Sequence, residues 1–146
     1  MDVSSQVVEQ PFPAQSKSTI GPIDDIPTEA SVLYFSDKIL VTLSQEGRLS
    51  QWIQIPLSAP SPATVNMALA NNNLLPLSHL TPKTLLGGGG EERESLAQLY
   101  AVQIASHIAR RDSDESRTLV VGLGLKTLKP DRDSFFDVIE LIQKAL

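Results

Sequence analysis

A chain of 146 residues holds one domain's worth of core and excludes a multidomain enzyme. Hydrophobic residues at 41% suffice for a packed interior, whereas 12 Lys and Arg against 17 Asp and Glu give a net charge of −5, the wrong sign for affinity through phosphates or an anionic lipid surface. With no cysteine and only His79 and His107 as histidines, disulfides, thiolate chemistry and a histidine metal cluster are excluded.

The first residues lack the basic start and apolar run of a secretory signal, and nothing downstream approaches the ~18 apolar residues of a membrane span. A cytoplasmic protein, or one shared with the nucleus, is expected, with no membrane or nucleic-acid partner. Residues 1–15, with Pro11-Phe-Pro13 and many Ser and Gln, offer little apolar surface to offset the entropy of ordering and are expected as a flexible tail. Residues 16–146 then form a single domain.

Four short strands are expected at Lys17 to Ile20, Glu29 to Phe35, Lys38 to Leu43 and Arg48 to Ile55. Their turns fall at Gly21-Pro22 with Asp24-Asp25 and Pro27, at Ser36-Asp37 and at Gln45-Glu46-Gly47, the spacing of an antiparallel meander. Residues 57–80, with Ala59-Pro-Ser-Pro62 and Asn71-Asn-Asn73, read as a long loop in which Val65 to Ala70 could make one helical turn. Thr81 to Leu86 is a further short extended piece, and Gly87 to Gly90 a hinge.

From Glu91 the period becomes helical. Leu96, Tyr100, Ile104 and Ile108 make one row and Ala97, Ala101, Ala105 and Ala109 the row beside it, a low face that can approach a sheet closely. Arg117 to Leu125 reads as another strand. A last helix starts after Pro130 with Asp131 as cap, and turns Phe135, Val138, Ile139, Ile142 and Leu146 inward. The expected fold is therefore α+β: an antiparallel meander of five to six strands, two long helices on one face, and the other face left for dimerisation.

That last inference comes from alternation. Val32, Tyr34, Ile39, Val41 and Leu43 share a face, yet Leu33, Phe35 and Leu40 oppose them, so neither side reads as solvated. Two helices roof one face only, and an uncovered apolar patch on a soluble chain marks an association site. Tyr34 and Trp52 are the candidate anchors, because such aromatics dominate interface energetics; the alternative for Trp52 is a core position beneath the 57–80 loop.

Motifs for chemistry fail on inspection. Gly87 to Gly90 opens a helix as phosphate loops do, but Glu91-Glu92 follows and no Gly-Lys-Ser/Thr is present. Gly122-Leu-Gly124 lies inside a strand without the third glycine of a dinucleotide fingerprint, and close backbone packing explains it better. No Gly-x-Ser-x-Gly elbow presents a serine to either histidine. Asp112, Asp114 and Glu115 are interspersed with arginines, a poor match to a calcium loop. No enzyme activity, metal or cofactor is expected.

Three stretches carry a family resemblance: Phe35-Ser-Asp-Lys-Ile-Leu-Val41, Thr42-Leu-Ser-Gln-Glu-Gly-Arg48 and Thr81-Pro-Lys-Thr-Leu-Leu-Gly87. With the helix, strand and terminal helix that follow in order, the chain over residues 17–146 resembles the proteasome assembly chaperone 3 family. The 57–80 segment is longer than that family's and the glycine run is unlike it. The resemblance implies a non-enzymatic chaperone of the 20S proteasome, acting in α-ring formation. Its implied partners are a related chaperone, the fourth of the series, and proteasome α-subunits, with a homodimer as a further form. Thr81 and Lys83 are the residues it adds to the candidate contacts; Lys83 reads equally as an edge-strand guard. A stable scaffold or adaptor subunit of a multiprotein complex is the other reading of the same composition.

Overall fold

The computed structural model describes residues 15–58, 80–87, 89–127 and 132–146. Its first three strands are hairpin-connected. β1 (Gln15–Ile23) turns at Asp24-Asp25 into β2 (Ile26–Tyr34), which turns at Ser36-Asp37 into β3 (Lys38–Gln45). Asp24 and Asp25 stand at φ 52° and 63°, and Glu46 and Gly47 after β3 at 57° and 69°, the left-handed backbone that matches a two-residue turn to the twist of its strands. Gly21-Pro22, expected as part of a turn, is instead inside β1, with Pro22 opposite Pro27. In a two-residue hairpin the Ile23 and Ile26 pair exchanges the hydrogen bonds and the next pair does not. Pro22 therefore turns its missing donor to the sheet edge, and Pro27 turns its own to the side where β3 has already ended.

The remaining elements are β4 (Gln51–Pro56), β5 (Lys83–Leu86), α1 (Glu91–Arg111), β6 (Thr118–Gly124) and α2 (Arg132–Ala145). The expected antiparallel meander is corrected here. Sheet order is β1-β2-β3-β6-β4-β5, with β6 inserted parallel to β3 and antiparallel to β4, so the six-stranded sheet is mixed. The physical reason lies in β6 itself: Leu119, Val121 and Leu123 stand in register with Ile39, Val41 and Leu43 on one side and with Ile55, Ile53 and Gln51 on the other. A strand so apolar gains most at the sheet centre, which leaves the polar β1 and the short β5 as edges.

Placing β6 between β3 and β4 obliges the chain to step across its end. Arg48 to Ser50 makes that step, which is why the expected strand from Arg48 begins only at Gln51. The Ser50 N–H donates to the Leu123 carbonyl at 2.8 Å. A Cβ on Gly124 would overlap the Arg48 carbonyl, so the crossing is possible only over glycine.

Both helices pack on one face. Gln98 of α1 donates to Thr84 Oγ1 at 2.9 Å, Leu141 of α2 lies against Gly21, and the Tyr100 and Phe135 rings meet at 4.8 Å between the helices. The alanine row Ala97, Ala101 and Ala105 is buried as expected, with Tyr100, Ile104 and Ile108 beside it. α1 is long at 21 residues; α2, at 14, is of ordinary length and not the second long helix expected. Val138, Ile139, Ile142 and Leu146 are buried and Phe135 half-buried. Gly90 precedes α1 at φ 94° and ψ 173°, a backbone reserved for glycine, and Glu91, Glu92 and Glu94 in the first turn face the helix dipole without a side-chain cap.

Gln45 ties the β1–β2 hairpin to the segment that follows the neighbouring β6. Its buried amide donates to Thr28 Oγ1 at 3.0 Å and to the Ile23 carbonyl at 3.4 Å, while its Oε1 accepts the Lys126 N–H at 2.8 Å. The expected tail (residues 1–14), most of the long loop (59–79), His79, the turn at Val65 to Ala70, Pro130 and the Asp131 cap lie outside the described residues. Gln15, placed in the tail by sequence, is already in β1, and Leu57 and Leu80, at the two ends of the loop, are both buried in the core.

Candidate functional site

Side chains alternate across a strand, so register decides which of them stand on the face away from the helices. Two rungs cross that face. One is Ser31, Thr42, Gly122, Trp52 and Leu86; the next is Leu33, Leu40, Val120, Gln54 and Lys83. On the helix side Val32, Val41, Val121 and Ile53 are wholly buried, whereas Leu33, Leu40, Val120 and Trp52 are half-buried. Among the described residues neither helix touches this outer face. It is a shallow apolar strip.

Its local chemistry suits covering by another protein. Trp52 lies down on the sheet because Gly122 beneath it has no side chain: a Cβ there would stand 2.9 Å from the indole Cζ3. The hydroxyls of Ser31 and Thr42 hydrogen-bond each other at 2.5 Å, so covering that rung strands neither. Leu86 at the end of the same rung is 66% exposed, on the edge strand β5. Charge is confined to the margins, with Lys83 opposite Gln54 and Glu29 opposite Ser44. An interface of this form is an apolar centre with a polar rim.

The four sequence candidates do not converge. Trp52 stands on the outer face and Lys83 at its β5 margin; Thr81 is exposed two residues before that strand. Tyr34 points the other way. It shares the helix-side row with Ile39, is half-buried against the core, and carries the Arg117 guanidinium 5.7 Å over its ring. The sequence contained this signal, since Tyr34 alternates in phase with Val32, the more apolar row. Leu33, Leu40 and Val120 were not singled out by sequence, although strands apolar at successive positions pointed to them.

The titratable groups near the surface act structurally. Lys38, at 2.9 Å, holds the Asp37 carboxyl below its ordinary range at the β2–β3 turn, and Lys126, at 2.8 Å, does the same for Glu46 at the next turn. His107 is half-buried between α1 and α2, where burial and then Arg110 depress its pKa. Among the described residues no group of three or more His, Asp or Glu could hold a metal ion, and no helix is long and apolar enough to cross a membrane.

Comparison with known proteins places this geometry. The fold is similar to that of a chain in the crystal structure of a novel chaperone complex for yeast 20S proteasome assembly. The TM-score is 0.64 at 16% identity, over 91% of this chain and 98% of that one, a likeness of fold. No curated protein sequence gives a significant match. The sequence model of proteasome assembly chaperone 3 matches residues 41–145, from within β3 to the last residue of α2 and including the stretches Thr42 to Arg48 and Thr81 to Gly87. That match spans well over half of the sequence, and the chain belongs to the proteasome assembly chaperone 3 family.

Proposed function

We propose that the chain is a chaperone of 20S proteasome assembly that acts by binding alone, first to a related chaperone through its open sheet face and then, as a pair, to α-subunits during α-ring formation. The observation that carries this reading is the half-buried strip of Leu33, Leu40, Val120 and Trp52, uncovered among the described residues while the opposite face is closed by both helices. Family membership and a fold shared with a chain of a yeast assembly-chaperone complex support it.

The mechanism follows from the surface. A stable pair needs roughly 800 Å² buried per partner, and an apolar strip with a flat aromatic and mutually satisfied hydroxyls loses little on desolvation. The pair lends an incomplete ring the neighbours it lacks, and leaves when later subunits claim the same surface. No bond is made or broken.

Co-purification from cells tests this. Recovery with proteasome precursors and a second small chaperone, but not with mature particles, is expected. Recovery only with mature particles overturns it, and permanent stoichiometric presence in one finished complex would establish the scaffold reading instead.

A further inference from the structure

Gln51 opens β4 on the helix side of the sheet, against the first turn of α1, and is only 2% exposed. Its amide nitrogen is turned to the Arg93 carbonyl at 3.5 Å, and that fixes the amide: the nitrogen has to face a carbonyl, so Oε1 faces away from it. Among the described residues Oε1 has no hydrogen-bond partner. A buried acceptor without a donor is a standing cost to the fold and calls for a donor from outside. Beside it lies an open pocket of about 290 Å³, room for one side chain and not for a folded element. Gln51 and Thr84 line it from the sheet, Glu91 and Glu94 from the first turn of α1, and Gly87 and Gly90 add no side chain to its wall. Leu85 and Leu86, just before Gly87, are 48% and 66% exposed. Trp52 stands opposite Leu86 and Ile53 opposite Thr84, so Leu85 is an extra residue that bulges β5, leaving Thr84 in the pocket and Leu86 on the outer face.

The lining chemistry excludes an anion. Gln51 Oε1 and the two carboxylates only accept hydrogen bonds, and Thr84 Oγ1 is already engaged by Gln98 at 2.9 Å. The three first-turn carboxylates Glu91, Glu92 and Glu94 outweigh the half charge of the helix dipole at this end. Among the described residues no basic side chain lines the pocket, and its two carboxylates fall short of a metal site. Such a set takes an organic cation rich in N–H donors. A guanidinium suits it better than an ammonium, because donors spread around a flat fork can reach the buried Oε1 with one edge and the exposed Glu94 with another. We propose that this pocket takes an arginine side chain of a partner protein, whose guanidinium donates to Gln51 Oε1 and to the carboxylates of Glu91 and Glu94 while its apolar neighbours cover Leu85 and Leu86. The two exposed leucines favour an arginine carried on a protein over a free guanidine, since they reward apolar residues attached to the cation. The inference stands without the chaperone reading.

Titration of the isotope-labelled full chain with the capped tripeptide Leu-Arg-Leu, followed by amide NMR, tests the proposal. Expected are saturable shifts at the Gln51 side-chain amide and at the backbone of Gly87, Gly90 and Glu91, with a Kd of about 1 mM. The citrulline counterpart, which keeps the shape and loses the charge, should bind about tenfold more weakly, and so should the arginine peptide to Glu94→Gln, an exposed substitution. Gln51→Met, its fold verified by an otherwise unchanged spectrum, should weaken binding as well. Absence of saturation, equal binding of the citrulline peptide or indifference to Glu94→Gln overturns the proposal, as do the same shifts raised by sulfate, which would make the helix end an anion site. Equal affinity for Leu-Lys-Leu overturns the choice of guanidinium, and equal affinity for capped arginine alone overturns the choice of a protein-borne one.

Discussion

Three ring atoms of Trp52 occupy the space above Gly122, between 2.9 and 3.2 Å from where a Cβ would project. Because the obstacle is a half-buried side chain at the surface of the sheet, Gly122→Ala lifts the indole and leaves the backbone in place. A stability loss of about 1 kcal/mol is expected. As the chain has one tryptophan, its emission should shift red, which urea titration and fluorescence on the same sample measure together.

Gly124→Ala meets a different obstacle. A Cβ there runs into the Arg48 carbonyl and the Leu49 Cα, both backbone, at the point where the chain crosses the end of β6. Neither can rotate away. A loss of about 3 kcal/mol is expected, visible as a much lower thermal midpoint than that of Gly122→Ala.

Gln45→Leu keeps the volume and removes a donor and an acceptor. The Lys126 N–H loses its partner, whereas Thr28 Oγ1 still donates to the Ile26 carbonyl. Buried polar groups left unpaired cost about 1–3 kcal/mol. Hydrogen exchange should show the Lys126 amide losing protection first.

On the open face, Trp52→Ser and Leu86→Asp should each weaken pairing with the chaperone partner about thirtyfold, as central and edge members of one apolar rung. Tyr34→Ala, on the opposite face, should leave that affinity unchanged while lowering stability. Calorimetric titration with the co-purified partner separates the two outcomes; equal loss in all three variants would contradict the assignment of faces.

His107 gives stability a pH dependence of known sign. Burial, with Arg110 adding to it, lowers its folded pKa below the ordinary 6.5, so the unfolded chain takes up the proton more readily. This contribution is complete above that value and declines as the pH falls through it. The Gln143 amide, 3.1 Å from Nδ1, needs a bare ring nitrogen to donate to and pulls the same way. His107→Gln should flatten the fall in thermal midpoint just below pH 6.5.

Local order was written in the chain: the helical period from Glu91, the two alanine and apolar rows of α1, and turns at Asp24-Asp25 and Glu46-Gly47 all depend on residues a few positions apart. The apolar character of the outer sheet face was legible too, because Leu33 and Leu40 interrupt what would otherwise be a polar row. The sequence could not place β6. Its pairing of Val121 with Val41 and Ile53 joins residues 80 and 68 positions apart, and such contacts leave no periodicity behind. Nor could it put Tyr34 and Trp52 on opposite faces, since alternation orders a strand within itself while only the register between strands says which side meets the helices. That register is decided by packing: the more apolar rows close against α1 and α2, and the mixed rows are left facing outward.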